Sequence, residues 1–247
     1  MKLLITGNSE RDRFLKSLCR QRGIELPSHG PWDAVILPLP FSHLSQEEAD
    51  LFPRGQRVFC GMTDEAFDRL AKKRGWKLHR ILQDESYAKE NAALTAEGAV
   101  WAAMDGGIKS LQASKCLVAG YGRIGKELVS RLRLLGALVT VSARREEARR
   151  EAGSGSVTIE KIPEVIGKMD YVFNTVPSPI ILDGALKRLS PNALLIELAS
   201  PPYGIDLENA GKRGLRARLE SGLPGRLFPL SAAQTVLSYI EREMQYE

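Results

Sequence analysis

Three glycines at fixed spacing near the middle of the chain form the pattern with the clearest chemical meaning. They lie in KCLVAGYGRIGKELVSRLRLLG, where an apolar run leads into a loop and then into an amphipathic stretch. The loop residues are Gly120, Tyr121, Gly122, Arg123, Ile124 and Gly125. Between a strand and a helix, the first glycine permits a tight turn, the second lets a pyrophosphate approach the backbone, and the third lets helix and strand pack closely. The segment predicts a dinucleotide site, with a purely structural turn as the alternative.

The residues after the next apolar run bear on which dinucleotide would bind. About 20 residues beyond such a loop, the second strand ends beside the adenosine ribose, where a carboxylate would hold the 2′-hydroxyl of NAD. This chain has Ser142, Ala143, Arg144 and Arg145 there. Small side chains leave room, and guanidinium groups bind phosphate through paired hydrogen bonds. The pattern favours NADP over NAD, unless the arginines merely begin a solvated helix with the glutamates that follow.

Two later strand ends carry small polar loops of the kind that face a nicotinamide ribose. One strand, YVFNTV, runs into Asn174, Thr175, Val176 and Pro177, and the next, LLIELA, runs into Ala199 and Ser200. Ligands of open parallel sheets bind outside the carboxyl ends of the strands, where the strand order reverses. We therefore expect these residues at the cofactor site, with the Ser200 hydroxyl available to the chemistry.

Short apolar strands alternate with amphipathic helices in two stretches that would position these loops. A first set of strands is predicted at 3–6, 34–40, 57–61 and 78–82, and a second set at 116–120, 138–143, 171–176, 194–199 and 216–221. An alanine-rich stretch at 91–112 predicts a linking helix, and 230–245 predicts a terminal amphipathic helix. The expected fold class is α/β with two parallel-sheet lobes, the second a Rossmann-type domain. We assign 1–90, with 230–247 returning to it, to the first lobe, and 91–229 to the linking helix and the second.

The composition is that of a globular protein without a membrane or nucleic-acid signature. Of the 247 residues, 43% are hydrophobic and 26% are charged, enough for two small domains or one large one. No apolar stretch reaches the roughly 18–20 residues of a membrane span, and the N-terminal residues lack a signal-peptide pattern. The net charge of +5 is scattered among acidic residues, so we expect no nucleic-acid partner. Three cysteines without metal-ligand spacing suggest buried thiols, no metal and a cytoplasmic location.

Four segments resemble, in order and spacing, the A subunits of bacterial dipicolinate synthase. They are AGYGRIGKEL, NTVPSPI, ELASPPYGID and SGLPGRLFP. The first occurs in many dehydrogenases, whereas the GLPG segment combined with ASPPYGID is much more specific. The resemblance is strong from about residue 91 onward. It is looser over 1–85, where VILPLP matches but the lobe looks shortened.

The resemblance implies an oxidoreductase from the mother cell of a sporulating bacterium, acting with a flavoprotein-like B subunit. Its substrate would be the hydroxy-tetrahydrodipicolinate made by dihydrodipicolinate synthase. This ring loses water and two hydrogens to give dipicolinate, pyridine-2,6-dicarboxylate. Members of the family resemble two-domain NAD(P) dehydrogenases with the active site in the interdomain cleft, and we also expect a homo-oligomer.

Such a reaction needs a hydride acceptor, a route for a ring proton and donors for two carboxylates. The nicotinamide would accept the hydride. Glu97 is the candidate base, since it is an isolated acid beside Gly98 on an otherwise apolar helix, although a solvated surface glutamate would look the same. Candidate substrate-binding residues lie in exposed strand-end loops, among which we count the GLPG segment: Pro40, Ser42, Ser200, Gly222, Leu223, Pro224, Gly225 and Arg226. Arg226 fits a substrate carboxylate and a plain surface position equally well.

Two other functions stay open at the level of sequence. One is an NADP-dependent dehydrogenase of another small acid, of the shikimate or hydroxyacid type. The lack of a persuasive Lys–Asp or His–Glu catalytic pair argues mildly against it. The other is a non-catalytic protein that binds NADP, senses the nucleotide and regulates a partner.

Overall fold

The computed structural model describes residues 1–40 and 44–245, so Ser42 lies outside the described residues. The chain forms two compact units. Unit 1 comprises Met1–Asn91 and Pro224–Glu247, and unit 2 comprises Ala92–Leu223. Each unit holds a parallel sheet with helices, which confirms the predicted α/β class.

The elements up to the linking helix are β1 (Leu3–Ile5), α1 (Glu10–Gln21), β2 (Ala34–Ile36), α2 (Gln46–Leu51), β3 (Arg57–Cys60), α3 (Glu65–Arg74), β4 (Lys77–Arg80) and α4 (Glu85–Gly106). The elements that follow are β5 (Lys115–Ala119), α5 (Arg123–Leu134), β6 (Leu138–Ser142), α6 (Glu146–Ala152), α7 (Ile162–Val165), β7 (Tyr171–Asn174), α8 (Asp183–Leu186), β8 (Leu194–Glu197), α9 (Leu207–Lys212), β9 (Arg216–Leu219), α10 (Leu223–Leu227) and α11 (Pro229–Gln245). Single turns of 3-10 helix cover Ile81–Gln83, Ile159–Lys161 and Ile166–Lys168.

The sheet of unit 1 has the order β1-β2-β3-β4. On the other side of β1, Lys2 forms a parallel bridge with Glu25, and the Leu3 N–H donates to the Glu25 carbonyl at 2.9 Å. The chain therefore passes from one side of β1 to the other before it forms β2. This reversal places a topological switch point between the carboxyl ends of β1 and β2.

The terminal helix α11 completes the core of unit 1. Its buried residues Ala233, Val236, Leu237 and Ile240 pack with the apolar side chains of β1 and α1. An amphipathic helix gains most of its stability from burying such a face. The helix starts at Pro229, because proline is favoured in the first turn, where its missing N–H would have no partner.

The linking helix α4 lies further toward the N-terminus than the alanine-rich stretch predicts. It begins at Glu85 rather than at 91, because the Asp84 carboxylate accepts the Tyr87 N–H at 2.7 Å and so satisfies a first-turn donor. It ends at Gly106 rather than at 112. A second glycine, Gly107, follows directly. A methyl group on Gly107 would lie 2.2 Å from the Tyr171 hydroxyl, so this close approach requires glycine.

The sheet of unit 2 has the order β6-β5-β7-β8-β9, with all neighbours parallel. A parallel bridge between Ser142 and Val157 adds one further position beyond β6. Counting that bridge as the third strand, the order is the 3-2-1-4-5-6 of a Rossmann domain. The switch point lies between β5 and β7, at the end where the glycine loop leaves β5.

The three cysteines are buried free thiols, as the sequence predicts. Burial raises the pKa of Cys19 and Cys60 to about 11 and that of Cys116 to about 12. These thiols are therefore protonated and unreactive at neutral pH. In the described part of the chain, no helix combines the length and apolar character of a membrane span.

Candidate functional site

The glycine loop between β5 and α5 has the shape of a pyrophosphate cradle. Gly120 adopts a φ of +99°, and a methyl group there would lie 2.2 Å from Thr175 Oγ1. A methyl group on Gly125 would lie 2.3 Å from the Gly120 carbonyl oxygen, so helix and strand meet too closely for any side chain. At Gly122, by contrast, a methyl group would meet nothing within 4 Å. The first and third glycines are thus required by packing, and the second leaves open space.

The start of α5 offers hydrogen-bond donors to that space. Gly122 is the N-cap residue and makes no side-chain capping bond. The first N–H groups of a helix lack intrahelical acceptors, and the helix dipole favours an anion at this end. Around them, Tyr121 and Ile124 are half-buried and Arg123 is exposed. The loop and helix start therefore fit the pyrophosphate of a dinucleotide.

A buried carboxylate organises the ends of β7 and β8 beside the switch point. Glu197 is completely buried at the end of β8. Its Oε1 accepts from Asn174 Nδ2 at 2.7 Å and from the Ala199 N–H at 2.8 Å. Its Oε2 accepts from the N–H groups of Gly204 at 3.0 Å and Ile205 at 2.8 Å. Four donors compensate the loss of water that burial imposes on the charge.

Asn174 extends this network into the loop after β7. Its Nδ2 also donates to the Val176 carbonyl at 2.9 Å, and its Oδ1 accepts the Val176 N–H at 3.2 Å. The Thr175 N–H donates to the Ala119 carbonyl at 2.8 Å and so holds the loop against β5. Pro177 follows as an exposed residue. The loop backbone is thus fixed beside the glycine loop.

The turn after β6 presents two arginines to solvent. Arg144 and Arg145 are exposed, while Ser142 and Ala143 are buried. Arg149, in the following helix α6, donates from Nη1 to the carbonyl oxygens of Ala143 at 2.8 Å and Arg144 at 2.6 Å. This brace fixes the backbone from which the two exposed guanidinium groups project.

The sequence predicts cofactor contacts from several side chains that the structure buries. The Ser142 and Asn174 side chains have no exposed surface, and the Ser142 hydroxyl has no hydrogen-bond partner in the described part of the chain. Ala199 is also buried, with its N–H donated to Glu197. Side chains along a strand alternate between the two faces of the sheet, and Ser142 and Asn174 lie at strand ends among packed residues. The Asn174 side chain holds the loop after β7 from within, and cofactor contact by these residues stays a prediction.

The remaining candidates divide between the two units. Glu97 on α4 and Ser200 after β8 are exposed residues of unit 2, and Pro40 after β2 is an exposed residue of unit 1. Gly222 is exposed with a φ of +63°, and Arg226 is exposed on α10.

The GLPG segment is a helix rather than the open loop that the sequence predicts. Residues Leu223–Leu227 form α10, and both Leu223 and Pro224 are buried. A methyl group on Gly98 would lie 2.9 Å from the Leu223 Cβ, so the glycine beside Glu97 makes room for a leucine. The first N–H groups of a helix lack intrahelical acceptors, so folding into α10 does not by itself remove the backbone donors of this segment.

Two residues that hold the site together, Glu197 and Arg149, are not among the candidates predicted from the sequence. A glutamate inside the buried strand LLIE is a detectable signal, because a fully buried acid must be paired or hydrogen-bonded. Arg149 gives no comparable signal, since it lies in a run of mixed charges typical of a solvated helix.

A parallel sheet with this strand order and this glycine loop defines a nucleotide-binding protein of the dehydrogenase class. Residues 81–201 match the family described as D-isomer specific 2-hydroxyacid dehydrogenase, NAD binding domain. The cofactor class is therefore a nicotinamide dinucleotide.

Comparison over the whole chain identifies the family. The chain is 31% identical over 236 residues to the dipicolinate synthase A subunit of Bacillus subtilis, with 87% of this chain and 80% of that protein covered. The crystal structure of the Bacillus subtilis protein matches with a TM-score of 0.86 at 25% identity, covering 100% of this chain and 97% of that one. The crystal structure of the Bacillus halodurans A subunit matches in fold with a TM-score of 0.88 at 23% identity, covering 98% and 96%. The chain belongs to the family of dipicolinate synthase A subunits.

The Glu197 network predicts a large stability loss from one substituted atom. In Glu197→Gln the shape is kept, but an amide NH₂ faces backbone N–H donors where an oxygen accepted them. We expect the free energy of unfolding to fall by about 2–3 kcal/mol, measured by urea denaturation. Glu208→Gln is the control, because Glu208 is exposed on α9 and pairs only with the helix neighbour Lys212 among the described residues. The control should change stability by less than about 0.5 kcal/mol, and equal effects of the two changes would contradict the assigned role.

Proposed function

We propose that this chain is the A subunit of a dipicolinate synthase and oxidises hydroxy-tetrahydrodipicolinate to dipicolinate with NADP. Family membership supports the reaction. The observation that carries the cofactor role is the open cradle at Gly122, bordered by packing-required glycines at the switch point of unit 2.

The preference for NADP rests on the turn after β6. Glycine-loop proteins that select NAD place a carboxylate near this point, whereas Arg144 and Arg145 occupy it here as exposed cations. Guanidinium groups pair with phosphate oxygens in a planar fork, and the Arg149 brace limits the freedom of the backbone that carries them. A 2′-phosphate therefore finds charge and hydrogen-bond donors at this turn, while a 2′-hydroxyl gains little.

The oxidation that follows the loss of water asks for positioning and for one proton transfer. The substrate loses water, and then a hydride and a ring proton, so that the ring becomes aromatic. When bound, the nicotinamide accepts the hydride. Glu97 takes the ring proton as an exposed carboxylate that can pass it to water, and the Ser200 hydroxyl donates to a substrate carboxylate. Because aromatisation itself is favourable, most of the catalytic work is orientation.

The proposed setting follows from the same family. The chain would work in the mother-cell cytoplasm of a sporulating bacterium, as a homo-oligomer that associates with a flavoprotein-like B subunit. Purified chain, alone and mixed with such a partner, is incubated with NADP and the product of dihydrodipicolinate synthase. Growth of the ultraviolet absorbance of pyridine-2,6-dicarboxylate, together with NADPH formation, is the expected result. Oxidation of a hydroxyacid or shikimate-type acid instead, or NADP binding without any turnover, would contradict the proposal.

Replacing both Arg144 and Arg145 with alanine should weaken NADP binding selectively. Loss of charge-assisted hydrogen bonds to the 2′-phosphate is expected to cost about 1–3 kcal/mol, while NAD binding barely changes. Isothermal titration with each dinucleotide measures the difference. Arg150→Ala is the matched control, because this exposed arginine of α6 is paired with Glu146 and should leave both affinities unchanged. Equal losses for NADP and NAD would rule out selection at this turn.

Glu97→Gln tests the proposed base, since it keeps the shape of the side chain and removes its charge. Turnover should fall by about 10²-fold or more, because general base catalysis contributes on this scale. The melting temperature should stay near that of the parent, because Glu97 is exposed on α4. Unchanged turnover with a lowered melting temperature would make Glu97 a structural residue.

A further inference from the structure

Arg11 is a buried cation at the carboxyl edge of the unit 1 sheet. It lies in the first turn of α1, directly after the loop that leaves β1, and is only 8% exposed. Its Nη2 donates to the carbonyl oxygen of Leu39 in the loop after β2. Its Nε is buried and has no hydrogen-bond partner in the described part of the chain. Arg11 therefore bridges the two loops of the switch point with donors left over.

The neighbouring acid balances the charge of Arg11 without completing its hydrogen bonds. Asp12 Oδ1 lies 3.8 Å from Arg11 Nη2, longer than a hydrogen bond. Asp12 Oδ2 accepts instead from the Ser9 N–H at 2.9 Å and the Ser9 hydroxyl at 2.6 Å, which caps α1. A guanidinium has five N–H donors, and leaving buried donors without acceptors costs free energy. The fold holds Arg11 in a state that an added acceptor would stabilise.

Two segments that the sequence singles out for substrate carboxylates converge on this side chain. Leu39 directly precedes one of the candidate prolines, and a methyl group on Gly225 of the GLPG segment would lie 3.6 Å from Arg11 Nη1. A second cation lies at the same edge, because Lys16 Nζ donates to the Gly7 carbonyl at 2.8 Å in the loop after β1. All of these residues belong to unit 1. Switch points of parallel sheets are where ligands bind, and this one is cationic.

We propose that Arg11 binds a carboxylate of the substrate through its Nε and a terminal N–H. A carboxylate offers two oxygens at the spacing of two parallel guanidinium N–H groups, which a neutral carbonyl does not. This inference rests on the proposed function, which supplies a substrate with two carboxylates. Arg11 is then a substrate-binding residue of unit 1.

The test uses pyridine-2,6-dicarboxylate as the probe and the full chain labelled with ¹⁵N. The Arg11 Nε–H resonance, assigned by its loss in Arg11→Lys, should shift when the dicarboxylate is added. Pyridine-2,6-dicarboxamide, which keeps the shape and lacks the charge, should leave it in place. In calorimetry, Arg11→Met should weaken dicarboxylate binding by about 10- to 100-fold, and Arg11→Lys by less, because lysine keeps the charge and loses the planar fork.

Arg13→Met is the matched control, because Arg13 is an exposed arginine of the same helix and should bind the dicarboxylate as the parent does. An Arg11 resonance that does not move at saturating dicarboxylate would overturn the proposal even if Arg11→Met failed to fold. Unchanged affinity in folded Arg11→Met would do the same. The turnover assay separates this outcome from the proposed function. If dipicolinate forms but the Arg11 resonance does not shift, only the proposed Arg11 site is refuted. If the dicarboxylate binds at Arg11 but no dipicolinate forms, only the proposed reaction is refuted.

Discussion

Burial of the Glu197 carboxylate is the constraint on which the shape of the unit 2 site depends. A charge without access to water is tolerated only when donors replace its hydration, and here three backbone N–H groups and the Asn174 amide do so. Those donors come from the end of β7 and from the loop after β8. Satisfying one carboxylate therefore fixes two strand-end loops at once. The Asn174 side chain also forms hydrogen bonds with the backbone of Val176, which fixes the loop after β7. The glycine loop packs against the neighbouring Thr175.

The two units carry similar strand–turn–helix starts that suit different ligands. In unit 2 the helix start is uncapped by side chains, and the space at Gly122 is open. In unit 1 a methyl group at Gly7 would lie 2.2 Å from Asp12 Oδ2, and Ser9 and Asp12 form a reciprocal capping box. The start of α1 is therefore already capped by side chains of the chain itself. A dinucleotide therefore suits unit 2, whereas unit 1 offers the incompletely bonded guanidinium of Arg11.

The arginines at the two switch points differ in their exposure to water. In the turn after β6, Arg149 donates hydrogen bonds to backbone carbonyl oxygens and so fixes the turn. Arg144 and Arg145 project from this turn into solvent. In unit 1, Arg11 is buried, and its long side chain reaches across the sheet edge to the Leu39 carbonyl. The exposed guanidinium groups of Arg144 and Arg145 are in contact with water, which screens their charges. The Arg11 guanidinium lies where water is largely excluded, so its electrostatic attraction to a negative charge is stronger than at the surface.

Local patterns in the sequence determined the strands, the glycine loop and the arginine turn, because each depends on residues close together in the chain. The family resemblance likewise rested on short segments in order. Tertiary structure alone decided which side chains at the strand ends are exposed and which are buried. Ser142 and Asn174 occupy the predicted strand ends but point inward, and the GLPG segment coils into α10. It also decided the partners of Glu197 and Arg11, which lie up to 28 residues away in the chain. Hydrogen bonds over such separations leave no periodic trace in the sequence, because they depend on how strands and loops meet in space.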